Sequence, residues 1–110
     1  MGACFFVTGR ANAQDPVKVA PKMNKVLMDN PRVRVLEVTL KPGDKMPMHS
    51  HPDNVLYVLG GGMTRSTDSK GKSTDHTYKG GECLFRKGET HAVENTGKTT
   101  THVLNIELKK

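Results

Sequence analysis

The sequence is short of several things at once. It has no tryptophan, two tyrosines and three phenylalanines, so it offers few rings for stacking on nucleobases. Its 17 basic residues exceed its 11 acidic ones and set a formal net charge of +6. That balance suits an anionic partner. The lysines are scattered singly between Lys18 and Lys98, with no dense block. This argues against a nucleic-acid partner and for a basic solvated surface, and it leaves a small anionic ligand compatible. No apolar run approaches the roughly 20 residues of a bilayer-spanning helix, so no membrane partner is expected. Only Cys4 and Cys83 are present, and if the N-terminal segment is removed as a leader the one remaining thiol excludes an intramolecular disulfide framework. Nowhere do apolar residues recur steadily at i, i+3, i+4 and i+7, so helix should be scarce.

What the chain does contain is turns. It has eleven glycines and six prolines. The signals "KPGD", "GGG", "DSKGK", "KGG", "KGE" and "NTGK" separate apolar or β-branched runs at Val33 to Leu40, Val55 to Leu59, Gly81 to Phe85, His91 to Glu94 and Thr100 to Leu108. Such punctuation, recurring every ten or so residues, belongs to an all-β sandwich or barrel. A length of 110 residues suits one domain with one core.

The expected organisation is an N-terminal segment 1–13, an arm 14–32 and a barrel domain 33–110. In the first segment, "ACFFV" precedes Ala11-Asn12-Ala13, the small-x-small pattern at which signal peptidases cut. It reads as a truncated signal peptide or as a disordered tail. The first reading implies a periplasmic or secreted protein, the second a cytoplasmic one. Pro16 and Pro21 limit helix in the arm, which is read as extended with one edge strand near Lys25 to Met28, ended at Asn30-Pro31. The charged stretch "STDSKGKSTD" is read as a solvated hairpin tip.

Chemistry concentrates in "GDKMPMHSHPDN". Residues i and i+2 of a strand point the same way, so His49 and His51 would aim their imidazoles into one space. Two such nitrogens form half of a transition-metal site. Forty residues on, "GECLFRKGETHAVEN" carries His91 at the start of another strand. A third imidazole from there would complete a three-nitrogen face with open positions for water or substrate. The opposing possibility is three structural histidines without metal, which would need partners for all their nitrogens.

These segments resemble the two motifs of the cupin superfamily. Gly43, five residues, then His49-Ser50-His51 matches the first. Gly81 through Gly88, two residues, His91, three residues and Asn95 matches the second. The resemblance covers residues 43 to 95 and implies a small single-domain cupin. Its fold would be an all-β double-stranded β-helix, or jelly-roll, barrel. It further implies a divalent transition metal (iron, manganese, nickel or zinc) on His49, His51 and His91, and a homodimer. Two departures stand out. Where the family places its glutamate ligand, this chain has Asn54 or Val55. Arg86 or Lys87 replaces the proline of the second motif and puts a cation near the barrel mouth.

Without that glutamate, three neutral imidazoles leave the charge of an ion uncompensated, which favours a small anionic ligand. Asn54 is expected as a fourth ligand or an orienting hydrogen-bond group, and Tyr57 as pocket lining. No inward carboxylate is evident, so no general base is assigned. Two functions remain open. One is a metal-dependent oxygenase, isomerase or lyase; the other is a non-catalytic small-molecule binder or sensor. Cys83 is read as a small buried hydrophobe, His102 as a structural histidine at the sheet's rim, and Met46 and Met48 as residues near enough to line the pocket.

Overall fold

The computed structural model describes residues 14–110. The signal-peptide or tail readings of residues 1–13, and Cys4 with them, lie outside the described residues. Among the described residues, nine strands follow a one-turn helix. They are α1 (Pro16–Val19), β1 (Asn24–Asp29), β2 (Val33–Leu40), β3 (Lys45–His51), β4 (Asn54–Gly60), β5 (Gly62–Asp68), β6 (Ser73–Tyr78), β7 (Cys83–Arg86), β8 (Glu89–Asn95) and β9 (Thr101–Leu108). All pairings are antiparallel, and they form one sheet ordered β1-β2-β9-β4-β7 and a second ordered β3-β8-β5-β6. This interleaving of chain-distant strands is the double-stranded β-helix expected from the motifs.

One element went unread in the sequence, and of a hairpin only the tip was read. The arm contains α1, whose first turn holds Pro16 where a missing N–H costs nothing. Asp15 caps it by accepting from Val17 N at 2.9 Å. The polar run from Gly62 to Tyr78 forms the β5–β6 hairpin. Its stretch of Thr, Ser, Arg and Asp residues shows no apolar alternation, and its register is held by cross-strand pairs such as Arg65 with Asp75 at 2.8 Å.

The glycines that open the two motifs have a common physical role. Gly43 (φ 87°) and Gly81 (φ 89°) sit in the left-handed region, where a Cβ is strained. Gly43 N donates to Asn95 O at 2.9 Å, and Asn95 N to Asp44 O at 3.0 Å. The start of the first motif is thereby stitched to the end of the second. The Asn95 side chain, 1% exposed, donates to Leu40 O and Thr99 O and so holds the turn that follows.

The interior is unusual in composition. Eight polar or charged residues are buried among the described residues, against six apolar ones and Pro16. The apolar part gathers at one end, where Ala20, Leu40 and Met46 pack with Val19, Met23, Val38 and Val93. Conversely, the outer face of the five-stranded sheet is apolar. Register places Val33, Val35, Leu104, Ile106 and Leu108 on that face, with Val55, Tyr57 and Phe85 beside them. An interior that keeps polar groups away from water must satisfy them with one another or with a ligand.

Candidate metal centre and ligand cavity

His49 and His51 come from the end of β3, and His91 is the direct cross-strand partner of His49 on β8. The three rings meet inside the barrel. Centroid separations are 4.8 Å (His49–His51), 4.7 Å (His49–His91) and 5.6 Å (His51–His91). Each ring offers one nitrogen, and these atoms lie within 4.8 Å of one another, close enough for one small cation to be shared.

The tautomers are set from behind. His49 Nδ1 donates to the Pro47 carbonyl at 2.7 Å, and His51 Nδ1 lies 2.8 Å from Glu107 Oε2. His91 Nδ1 lies 3.0 Å from both Ser66 Oγ and Glu89 Oε1. A carbonyl and a carboxylate only accept, so the Nδ1 atoms of His49 and His51 carry the proton. With Nδ1 engaged in all three rings, Nε2 is the nitrogen left for the cavity. Such backing is how proteins orient imidazoles toward a metal. Burial holds the His49 pKa down at about 4 against the ordinary 6.5, with the neighbouring His51 adding to it. Burial first, then His49, His51 and Arg86, lowers His91 to about 3. Both rings are therefore neutral near pH 7, the form a metal needs.

Glu107 is the inward carboxylate that the sequence reading failed to find. It is 3% exposed, and its other oxygen accepts from Arg34 Nε at 2.7 Å. Arg34 in turn grips both oxygens of Asp15, at 3.1 and 3.2 Å. Burial alone would raise the Glu107 pKa, but the bonds from His51 and Arg34 prevail and keep it below its ordinary value, hence ionised. A second brace stands behind His91, where Glu89 Oε2 accepts from Arg86 Nη2 at 3.2 Å and Arg86 Nη1 donates to Tyr78 Oη at 3.0 Å. Both inward carboxylates are thus held between an arginine and a histidine. The second brace was half legible, because the arginine at the proline position marked it.

The remaining candidates fall as follows. Asn54 is buried in the cavity wall, but its amide is occupied: Nδ2 donates to Pro52 O at 2.8 Å and Oδ1 accepts from Asn105 Nδ2 at 3.0 Å. That makes it a wall-building group. Tyr57 does not line the cavity. As an odd-parity residue of β4 it points out of the barrel and is 38% exposed. Cys83, expected to be buried, is exposed on the same outer face opposite Tyr57. His102 faces outward with Nε2 2.6 Å from Glu37 Oε2. Met46 does line the cavity.

The cavity has a volume of about 90 Å³ and is lined by the three histidines together with Asn54, Ser66, Tyr78, Arg86 and Glu89, among others. An apolar cavity of about 150 Å³ holds benzene, so this one fits a ligand of only a few heavy atoms. The charges on its wall, Arg86 and Glu89, offset each other.

A jelly-roll barrel with three inward imidazoles at one end defines a class of small barrels that can hold a metal ion. The chain belongs to the cupin family: the cupin domain model matches residues 36–107. A cupin domain from Bordetella pertussis Tohama I superposes with a TM-score of 0.72 at 29% identity, covering 79% of this chain and 92% of that one. A double-stranded β-helix protein from Klebsiella pneumoniae superposes with a TM-score of 0.63 at 20% identity, covering 77% and 74%. The oxalate-binding protein of Thermotoga maritima is 26% identical over 103 residues, 91% of this chain and 82% of that protein.

Proposed function

We propose that His49, His51 and His91 hold one divalent transition metal ion, and that the barrel uses it to bind a small carboxylate-bearing anion. The observation that carries this reading is the convergence of three imidazoles whose Nδ1 atoms are all engaged from behind. Neither inward carboxylate is free to neutralise an ion, since each is already bound to an arginine. A dipositive ion there would leave the cavity positive and attract an anion. The small cavity and the similarity to an oxalate-binding protein support the same ligand class. Binding is favoured over turnover because no inward carboxylate stands free to act as a general base.

The test is elemental analysis of protein purified without an affinity tag, followed by calorimetric titration with oxalate. One equivalent of metal, and oxalate binding that disappears when the metal is stripped, is the expected result. Absence of stoichiometric metal even after reloading would overturn the proposal. The same preparation, screened aerobically and anaerobically for conversion of small carboxylates, separates a binder from an enzyme.

The chain also pairs with a second copy through the outer apolar face of the five-stranded sheet. Phe85 is 60% exposed there and Met28 52% exposed at its β1 edge. Large exposed apolar patches of this kind are commonly covered by a partner.

A further inference from the structure

We propose that Arg86 selects the ligand: its guanidinium takes one carboxylate of a small dicarboxylate as a bidentate pair, while the other carboxylate lies at the three-histidine centre. The inference rests on the metal-site reading above and names the ligand class of that site.

Two arginines brace this barrel, and they differ in where they stand. Arg34 lies behind the site and spends Nε, Nη1 and Nη2 on Glu107 and Asp15. It does not line the cavity. Arg86 projects inward from β7, opposite Asn54 across the ladder, and does line it together with all three histidines. Of the five N–H donors a guanidinium has, Arg86 uses one on Tyr78 and one on Glu89. Among the described residues nothing takes the rest, which leaves them for a ligand. Its bond to Glu89, at 3.2 Å, is long for a charge-assisted pair. Yet the partner oxygens hold the fork in place at little entropic cost on binding.

Spacing and size restrict the ligand further. A single carboxylate, that of Glu89, reaches from the Arg86 guanidinium to the His91 ring. That bridge ends on Nδ1, at the back of the ring, so a ligand joining Arg86 to an ion held on the Nε2 side must reach further than one carboxylate, as a molecule with two carboxylates a bond or two apart does. The enclosed volume of about 90 Å³ suits a small dicarboxylate better than a sugar acid. A monocarboxylate fits but leaves the fork unmet. Planar bidentate recognition is what distinguishes Arg from Lys at a carboxylate.

The test uses protein loaded with zinc and titrated calorimetrically with oxalate, malonate and acetate, with bound zinc measured before and after. Wild-type protein is expected to bind oxalate or malonate at least tenfold more tightly than acetate. In Arg86→Gln the ratio of oxalate to acetate affinity should collapse at least tenfold; the ratio is the readout because the Glu89 charge uncovered by the substitution weakens both anions alike, and bound zinc is measured in the same samples. A preference that survives in Arg86→Gln overturns the proposal, as does a wild-type protein that holds zinc but binds the three anions alike. If Arg86→Gln does not fold, Arg86→Lys carries the test. It keeps the charge without the fork, so unchanged oxalate affinity overturns bidentate recognition and a several-fold selective loss supports it. Failure of wild-type protein to retain zinc defeats the underlying metal reading instead, an outcome distinct from all of these.

Discussion

At the residue scale, the histidines were legible and their supports were not. Alternation along a strand put His49 and His51 on one face from sequence alone, and the Gly and Asn landmarks brought His91 to them. Glu107 lies 56 residues from His51, and no local pattern announces a charged side chain turned inward on a strand with apolar neighbours. Tyr57 failed for the converse reason. A tyrosine amid apolar residues looks like pocket lining, but the inner face of β4 carries Asn54, Leu56 and Val58, and Tyr57 lies on the other. Glu107→Gln should weaken metal affinity about 10- to 100-fold, because the acceptor that fixes the His51 tautomer loses its charge; competition with a chelating dye measures this. The two depressed histidines make a second prediction. Their folded pKa values, about 4 and about 3, lie below the 6.5 of the unfolded chain. As pH falls through 6.5 the unfolded state takes up protons first, and metal-free protein loses stability by up to about 1.4 kcal/mol per pH unit per group. The loss should be fully developed near pH 3 to 4, and urea melts across pH 7 to 4 should show the midpoint falling steadily.

At the element scale, apolar strands announced themselves and polar ones did not. The bounds of β2 were read as they stand, and β1, β4, β7, β8 and β9 to within a residue or two. The β5–β6 hairpin was read only at its tip; its strands escaped because both faces are largely polar or solvated, which removes the period-2 signal on which strand reading depends. The arm escaped in part because one turn of helix is too short for a periodic signature. That arm nevertheless reaches the site: Gln14 O accepts from Ser50 N at 2.7 Å, between the two β3 histidines, and Asp15 holds Arg34. Asp15→Ala should therefore loosen the arm and leave Arg34 partly unpaired beside Glu107. The expected cost is about 1 to 3 kcal/mol from the lost cap and the charge-assisted bonds. Faster amide exchange at Ser50, measured by NMR with the β9 amides as internal reference, reports it. Unchanged Ser50 protection would mean that the arm is held by other contacts.

At the scale of the whole molecule, the barrel is turned partly inside out. Polar side chains share the cavity wall with Val38, Leu56 and Val103, while Val35, Val55 and Ile106 line up across three adjacent strands on the outside. The fold class followed from turn spacing and motif order, but this inversion did not, because alternation reports which residues share a face and is silent on which face is wet. Five strands spaced about 4.8 Å apart give an apolar face roughly 20 Å across, the scale of a standard interface covering about 800 Å² per partner. A two-fold pair of such faces would bury Phe85 and Ile106 of each copy, with neither residue touching the cavity. Phe85→Glu and Ile106→Lys, each placing a charge on the apolar contact, should shift a dimer toward monomer by at least tenfold in dissociation constant, while bound metal per chain stays the same. Sedimentation velocity over a dilution series, with metal content measured on each fraction, checks both halves. A wild-type chain that stays monomeric at every soluble concentration would mean that the outer face serves some other partner.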